Sequence, residues 1–320
     1  MYNRPKFSVI IPVYNKSPHI LRSISSVLNQ TFGDLELIII NDASTDNSLE
    51  EIKKFKDSRI RLFHRDTPGP GGYAARNLGI ENAKAEWLAF LDADDEWMPE
   101  HLEKMSELAD KYTGCAFLSC GWNIFTPEGH TYTDIYFQHN STKGSHEISF
   151  KEYLKLCIKH MRPIWTSVVC IYNNNIAKSL FPAGKANRGG DTYAWGIYLA
   201  HNKKMAWSPH IGATYYRNSV NMITNTMHPN TALLKKLINE ISPLLDKKHL
   251  NVLLKYKNRQ IWNNWRENVF FENAQFNLAA NLSWKADILF YIIHMPISII
   301  PVSILKRIRT LKRIILNRVI

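Results

Sequence analysis

Short apolar runs alternate with helical repeats along the first hundred residues of the chain. Two continuous apolar runs, 7–13 (FSVIIPV) and 35–40 (LELIII), are rich in β-branched residues, which is typical of parallel strands covered on both faces. Between them, residues 17–29 place apolar side chains at helical spacing after a Ser-Pro start. The alternation continues with a helix at 45–55, capped by Thr45 or Asp46, a strand at 60–64, a helix at 73–83 and a strand at 87–91. This order predicts an α/β fold with a doubly wound, mostly parallel sheet flanked by helices.

The pattern becomes less regular after residue 113. Residues 114–167 suggest shorter strands, and the following segments predict a helix at 192–200, strands at 205–207 and 213–216, and helices at 231–254 and 252–276. We therefore assign 1–225 to one α/β domain with halves at 1–113 and 114–225, followed by a helical extension at 226–285 and a C-terminal tail at 286–320.

The tail combines an uncharged apolar stretch with a basic end. Residues 288–305 have about the shortest length that crosses a bilayer, but they contain His294, Pro296 and Pro301. A single crossing would place the following cations outside, against the positive-inside tendency, so we expect an in-plane or re-entrant anchor. Apolar residues from Ile304 onward then alternate at helical spacing with six cations, which suits an amphipathic helix on anionic lipid. Residues 288–320 as a whole are therefore expected to associate with an anionic membrane surface. A buried helix pair or a dimer contact is the alternative. The six cations are Lys306, Arg307, Arg309, Lys312, Arg313 and Arg318.

Composition narrows the class of protein. The net charge of +12 indicates a polyanionic partner, and the tail carries much of the excess because no acidic residue follows Asp287. A nucleic-acid arm is a competing hypothesis for the tail, but its interleaved apolar residues favour lipid over nucleic acid. The N-terminus shows no signal-peptide pattern, so we expect the domain at the cytoplasmic face of the cell membrane. The four cysteines lack the paired spacing of a zinc site and are predicted to be buried thiols.

Polar residues stand at the ends of the predicted strands and at the start of one helix. Because ligands bind at the carboxyl ends of parallel strands, these residues are expected to line one crevice. They are P-V-Y-N at 12–15, N-D at 41–42, R-N at 76–77 and D-A-D-D at 92–95. Together they resemble the P-x-Y-N, N-D-x-S-x-D, A-R-N-x-G and F-L-D-x-D-D-x-W-x-P pattern of the inverting family-2 glycosyltransferases of GT-A fold. The resemblance covers residues 7–99.

The resemblance implies a nucleotide-diphosphate sugar donor and Mn²⁺ or Mg²⁺ as cofactor. Asp94 is then the metal ligand, Asp92 contacts the ribose, and Asp42 accepts a hydrogen bond from a pyrimidine ring, which favours a UDP-sugar. A metal ion is chemically consistent with these roles, because carboxylates and a diphosphate repel each other unless a cation lies between them. The alternatives are a solvated acidic turn for the D-x-D triplet and a helix N-cap for Asp42.

Four further residues are predicted to bind the nucleotide sugar, beginning with three at the end of the first strand. Pro12, Tyr14 and Asn15 stand there, and Tyr14 offers an aromatic face to the base. Arg76 follows a Gly-rich approach at 68–72 and lies near a helix start, where the dipole disfavours positive charge. A diphosphate or an aspartate is therefore expected beside Arg76, as a donor contact or as a structural ion pair.

Catalysis requires a base that removes a proton from the acceptor hydroxyl. The R-G-G-D-T segment at 188–192 resembles the family's G-E-D motif, which implies Asp191 as the base, although Gly190 stands where Glu is usual. Asp191 as an N-cap is the alternative. The Y-Y-R segment ending at Arg217 resembles the family's Y-R element, which places Arg217 at the donor phosphate and 218–227 in a lid over the donor.

The resemblance thus implies an inverting transfer of a hexose or an N-acetylhexosamine to a hydroxyl of a glycan or lipid-linked acceptor, such as a lipopolysaccharide core, in cell-surface polysaccharide assembly. Residues 260–264 do not form the Q-x-x-R-W element of processive synthases, so one sugar is expected per encounter. A catalytically silent sugar-nucleotide-binding membrane adaptor is the alternative.

Overall fold

The computed structural model describes residues 4–185, 187–220, 222, 231–269 and 277–308. The chain divides into two compact units, Met1–Met227 and His228–Ile320.

The first unit opens with the predicted alternation of strands and helices. Its first half consists of β1 (Phe7–Val13), α1 (Ile20–Leu28), β2 (Leu35–Asp42), α2 (Ser48–Lys53), β3 (Ile60–Arg65), α3 (Tyr73–Asn82) and β4 (Trp87–Phe90). Its second half consists of β5 (Glu96–Trp97), α4 (His101–Lys111), β6 (Phe117–Phe125), β7 (Thr131–Thr133), α5 (Ile135–Asn140), β8 (His146–Ser149), α6 (Phe150–Ile158), β9 (Cys170–Tyr172), α7 (Gly190–Asn202) and β10 (Lys204–Tyr216).

All ten strands join one sheet over the described residues, in the order β3-β2-β1-β4-β9-β6-β10-β5, with β7 beside β6 and β8 beside β10. Strands β1 to β4 form the predicted parallel half. The remainder is mixed, because β9 runs antiparallel to β4 and β6, whereas β10 is parallel to β6. The carboxyl ends of β1, β2 and β4 therefore meet at one edge, where the polar residues follow.

Burial explains why these segments form a sheet. Every residue of β2 is buried, and β1 is buried except at Pro12. Helix α1 contributes the fully buried Ile20, Ile24 and Val27 to the same hydrophobic core cluster as β1. Burying one such side chain contributes roughly 1.5–3 kcal/mol, so these contacts stabilise the half of the sheet whose strand ends meet at that edge. All four cysteines are free and buried, as predicted.

Three local predictions are wrong. Helix α2 begins at Ser48 with Asn47, rather than Thr45 or Asp46, at the N-cap position, and Asn47 makes no side-chain cap. Asp46 accepts hydrogen bonds from the backbone N–H groups of Ser17 and Ser48, each at 3.0 Å. The strands predicted at 205–207 and 213–216 are one strand, β10, whose register shifts between Ser208 and Ala213. The helix predicted over 231–254 is broken near Pro243, which has no N–H to donate.

The second unit is helical. It contains α8 (Thr231–Ile241), α9 (Lys247–Glu267), α10 (Leu278–Asn281), α11 (Ile288–His294) and α12 (Val302–Ile308), with a 3₁₀ turn at Pro296–Ile299. No single helix among the described residues is both long enough and apolar enough to span a bilayer. Ile288–Ile299 and Val302–Ile308 together reach that length and hydropathy, bent by 110°. The last four cations of the tail, and most of the lid predicted at 218–227, lie outside the described residues.

Candidate active site

The loops after β1 and β2 are tied together by Asn15. Its backbone lies in the left-handed region (φ 52°), which asparagine tolerates better than most residues. Its N–H donates to Ser44 Oγ at 3.1 Å, and its Oδ1 accepts from the N–H of Thr45 at 2.8 Å. Asn15 therefore fixes the two strand ends that frame the predicted donor site.

Asp42, the last residue of β2, is almost completely buried (1% exposed). The parallel register of β2 and β3 sets Arg65 beside it, and the guanidinium forms an ion pair with the carboxylate. The N–H of Gly69 donates to Asp42 Oδ2 at 3.0 Å. Arg65 was missed by the motif comparison, although the strand register alone places it opposite Asp42. The pair orients the carboxylate predicted to recognise the base.

Arg76 lies in the first turn of α3 and pairs with Asp92, the first carboxylate after β4. Its other nitrogen, Nη1, donates to the carbonyl of Gly71 at 2.7 Å. Gly71 and Gly72 have φ of 71° and 64°, a conformation that requires glycine in this tight turn. The anion expected beside Arg76 is thus present as Asp92. Burial raises the pKa of Asp92, an effect that the positive charge of Arg76 opposes.

Asp94 faces a lysine that the sequence comparison did not single out. Lys16 Nζ lies 2.6 Å from Asp94 Oδ2 and also donates to the carbonyl of Val220 at 2.6 Å. Both side chains of the ion pair are largely buried. Arg22 donates to the backbone carbonyl of Asp94 at 2.5 Å. The position of Lys16, directly after P-V-Y-N, could have revealed it, because this cation follows a strand end in a crevice lined by carboxylates.

Asp95 anchors the acidic loop to the second half of the sheet. Its carboxylate accepts hydrogen bonds from Ser167 Oγ at 2.5 Å, Trp165 Nε1 at 3.2 Å and the N–H of Tyr216 at 3.3 Å. Burial, and then the two neighbouring carboxylates, raise the pKa of Asp95 well above its ordinary value. These bonds tie the loop that carries Asp92 and Asp94 to residues of the second half.

Asp191 lies in the first turn of α7, where the helix dipole favours an anion. The N-cap position is Gly189, so Asp191 is not the cap. The charge of Asp191 contributes to raising the pKa of Asp92, so the two carboxylates lie close enough for their charges to interact. A Cβ at Gly190 would come within 2.5 Å of the Tyr73 ring, whose hydroxyl accepts from the Gly190 N–H at 2.9 Å. The buried tyrosine thus explains why no glutamate stands at position 190.

A cavity of about 360 Å³ opens beside Asp191. We call it the aromatic cavity, because six of its fifteen lining residues are tryptophan or tyrosine. Its lining includes Trp122, Tyr132, Tyr153, Trp165, Trp195 and Tyr215, together with Asp134 and Asp191.

The remaining predicted residues lie at the periphery of this edge. Tyr14 is 43% exposed, and Pro12 is close to the Gly72 turn. The backbone N–H of Arg217 donates to the carbonyl of Phe125 at the end of β6, and its side chain is exposed. Contact of these three residues with a donor stays a prediction.

The carboxylates fit the predicted metal. Carboxylate oxygens such as those of Asp92 and Asp94 are ligands that suit Mg²⁺ or Mn²⁺. The ion pair with the Lys16 ammonium shows that Asp94 has room for a cation beside its carboxylate. His101, Cys120 and His210 also bring possible ligand atoms within 4.8 Å of one another, but nitrogen and sulfur ligands suit softer metals.

Residues 8–173 match the family model described as Glycosyl transferase family 2. The chain is 49% identical over 100 residues to an uncharacterized glycosyltransferase of Rickettsia bellii, covering 31% of this chain and 14% of that protein. It is 35% identical over 172 residues to the uncharacterized glycosyltransferase YibD of Escherichia coli, covering 53% and 48%. It is 34% identical over 128 residues to TuaG of Bacillus subtilis, named as a candidate glycosyltransferase of teichuronic acid biosynthesis, covering 39% and 50%. The chain thus spans half or less of the length of these relatives.

Two solved structures of TarS 1–349 from S. aureus share the fold. The complex with UDP-GlcNAc has a TM-score of 0.70 at 17% identity and covers 89% of this chain and 83% of that chain. The complex with UDP has a TM-score of 0.68 at 19% identity and covers 92% and 86%. The predicted GT-A type of α/β fold is confirmed by this likeness.

Proposed function

The chain belongs to glycosyltransferase family 2, and from that premise we propose that it transfers a sugar from a nucleotide-diphosphate donor to a hydroxyl of a glycan or lipid-linked acceptor. The sugar is a hexose or an N-acetylhexosamine carried by UDP, and the product belongs to a cell-surface polysaccharide. The proposal depends above all on one observation: Asp92 pairs with Arg76 and lies close enough to both Asp94 and Asp191 for their negative charges to act on it. The bound UDP-GlcNAc of TarS and the name of TuaG support the donor and the pathway class.

Donor binding is assigned to the parallel half of the sheet. Asp42, oriented by Arg65, accepts a hydrogen bond from the base, and Asp92 contacts the ribose. When the donor binds, the Arg76 guanidinium contacts the diphosphate in place of part of its hydrogen bonding to Asp92. Its burial and its bond to the Gly71 carbonyl hold the guanidinium in position for this contact. Asp94 would hold Mn²⁺ or Mg²⁺, which supplies positive charge for the departing diphosphate.

Transfer is assigned to Asp191. Its carboxylate accepts the proton of the acceptor hydroxyl as that oxygen attacks the anomeric carbon from the face opposite the diphosphate. The bond from the anomeric carbon to the diphosphate oxygen breaks in the same step, so the configuration inverts. The hydrogen bond from Gly190 to Tyr73 fixes the helix start that carries the base.

Lipid-linked acceptors would be reached at the cytoplasmic face of a membrane, with 288–320 as a peripheral or re-entrant anchor. The exposed apolar side chains of α11, including Ile288, Leu289 and Ile292, support that anchor.

The test is a melting-temperature screen of the full chain with UDP-, GDP- and dTDP-sugars, with and without Mn²⁺. A UDP-sugar is expected to raise the melting temperature, and Mn²⁺ to enlarge the rise. Asp94→Asn should lose the part that depends on Mn²⁺. Asp110→Asn, which removes a carboxylate of 70% side-chain exposure outside the cleft, should keep it.

If no sugar nucleotide stabilises the chain, the proposed function is wrong. Stabilisation by a UDP-sugar without any transfer to glycans or extracted membrane lipids would instead support the silent adaptor.

A further inference from the structure

Two imidazoles and a thiol that donor binding and transfer do not use converge in the second half of the first unit. His101 is the first residue of α4, Cys120 lies within β6, and His210 lies within β10. Each offers one nitrogen or sulfur atom, and these atoms all lie within 4.8 Å of one another. His101 and Cys120 are completely buried, and His210 is half-buried. We call these three residues the His-Cys-His cluster.

An irregularity in β10 brings His210 to the cluster. Ser208 and Ile211 pair with the consecutive residues Cys120 and Gly121, so the two residues between them on β10 have no register partner on β6. His210 is one of these two. Bulges of this kind re-aim a side chain and are frequent next to functional sites. His210 Nδ1 lies 3.0 Å from Ser208 Oγ, the type of contact that orients a metal-binding imidazole and leaves its other nitrogen for the ion.

Gly212, two residues further along β10, lets the other two members approach each other. A Cβ at this position would lie 2.3 Å from His101 Nδ1 and 2.5 Å from Cys120 Sγ, so a side chain here would push them apart. Nδ1 and Sγ are 3.8 Å apart. A tetrahedral Zn²⁺ holds nitrogen at about 2.1 Å and sulfur at about 2.3 Å, which sets the two ligand atoms about 3.6 Å apart. A small adjustment therefore lets both bind one ion.

The cluster also holds buried imidazole nitrogens that lack a partner. Over the described ranges, neither Nε2 of His101 nor Nε2 of His210 makes a hydrogen bond, although both atoms are buried. Nδ1 of His101 faces the thiol, a weak partner. Buried polar atoms are nearly always paired, so this arrangement needs an explanation. A metal ion among the three side chains supplies one.

The charges of the surroundings are compatible with a divalent ion. Burial lowers the pKa values of both imidazoles, so they are in the neutral, metal-binding form near pH 7. Burial raises the pKa of the Cys120 thiol, so its proton leaves to solvent only as the sulfur–metal bond forms. Asp134 lies close enough for its charge to act on this thiol, so one thiolate and one carboxylate can offset the two positive charges of the ion.

We propose that the His-Cys-His cluster binds one borderline or soft transition-metal ion, with Zn²⁺ the best fit, and that this ion ties α4 to the bulge of β10. Nitrogen and sulfur ligands select such metals over Mg²⁺ and Mn²⁺, which prefer oxygen. The site is thus chemically distinct from Asp94, the predicted ligand of the donor's metal. Helix α4 begins shortly after Asp95, so the ion would brace the segment that follows the acidic loop.

Cobalt absorption on the full chain tests the inference directly. Co²⁺ takes tetrahedral sites of this type, and a bound thiolate gives a sulfur-to-cobalt charge-transfer band in the near ultraviolet, which carboxylate ligands do not give. EDTA-treated chain is titrated with Co²⁺, and a second preparation is produced with Co²⁺ in the growth medium, so that slow entry into a buried site does not decide the result. One equivalent of Co²⁺ should produce the band, and excess Zn²⁺ should remove it by competition.

The variants identify the thiolate. Cys120→Ser should abolish the band and the rise in melting temperature caused by Zn²⁺. Cys157→Ser is the matched control, because Cys157 is an equally buried thiol on α6, outside the cluster, and this variant should keep both signals. Asp94→Asn should keep the band as well. Loss of even an outer contact weakens metal sites by about 10- to 100-fold, so His210→Gln, at a half-buried position, should need at least about tenfold more Co²⁺.

Melting temperatures without metal verify that each variant folds, and His210→Gln decides if Cys120→Ser does not. The inference is overturned if neither wild-type preparation shows the band, if folded Cys120→Ser keeps it, if Cys157→Ser loses it, or if His210→Gln binds Co²⁺ like the wild type. The cluster would then be a packing contact between a thiol and imidazoles. The screen with UDP-sugars is independent of this test, because a chain without the band that is stabilised by a UDP-sugar keeps its proposed function.

Discussion

Replacing Lys16 by methionine is expected to raise the affinity of the chain for Mn²⁺ when no nucleotide is present. In the structure the ammonium of Lys16 lies 2.6 Å from Asp94, at the carboxylate predicted to hold the metal. A cation that binds Asp94 must displace this ammonium or share the carboxylate with it. Removing the lysine therefore removes a competitor.

The magnitude follows from the burial of the pair. Exposed ion pairs contribute about 0–1 kcal/mol. Lys16 and Asp94 have side-chain exposures of 12% and 16%, so solvent screens them less, and roughly 1–2 kcal/mol is a reasonable range. Because 1.4 kcal/mol corresponds to a factor of ten, the variant should bind Mn²⁺ about 5- to 30-fold more tightly.

The assay is Mn²⁺ titration followed by electron paramagnetic resonance, which measures free Mn²⁺ without any turnover. Lys6→Met is the matched control, because it also removes one positive charge. In the structure Lys6 pairs with Asp110 at 2.8 Å, outside the cleft. The difference between the variants should shrink at high salt. If Lys16→Met and Lys6→Met bind Mn²⁺ equally, Lys16 does not compete for the metal ligand and the reasoning is refuted.

Two further predictions concern pH and packing. Burial lowers the pKa of His210 to about 4, so between pH 6.5 and 4 the unfolded chain binds a proton at this histidine that the folded chain does not bind; the contribution of His210 to stability should fall by about 3 kcal/mol as pH decreases through this window. Urea unfolding at each pH should show a smaller fall for His210→Gln, and an identical fall would contradict the assignment. Gly190→Ala should lower the free energy of unfolding by about 1–3 kcal/mol, because its Cβ meets the buried ring of Tyr73. Gly33→Ala, with open space at its Cβ, is the control and should change stability by less than about 0.5 kcal/mol.

The sequence was sufficient to predict the parallel half of the sheet, for a physical reason. β1 and β2 are buried on both faces, so their apolar runs are continuous and their boundaries are clear. In the second half, β10 changes register between Ser208 and Ala213, and a bulged strand loses the period that marks a single element. The antiparallel pairing of β9 with β4 depends on contacts between distant segments, which local periodicity does not contain.

The candidate site was predictable where a motif carries the chemistry and hidden where a partner comes from elsewhere in the chain. Asp42 and Asp94 stand in motifs, whereas Arg65 becomes visible as the partner of Asp42 only when β2 and β3 are aligned side by side. Trp165, which joins Asp95 to the aromatic cavity, lies 70 residues further along the chain. No local pattern links residues at that separation.

The most direct test of the account compares donor binding with sugar transfer in Asp191→Asn. UDP-sugar binding is measured by calorimetry, and transfer by UDP release in the presence of a methyl glycoside that the wild-type chain accepts. Asn keeps the size of the side chain and removes the proton acceptor, so donor affinity should stay unchanged while the transfer rate falls by about 10²–10⁴-fold. An Asp191→Asn chain that transfers sugar at the wild-type rate would contradict the account.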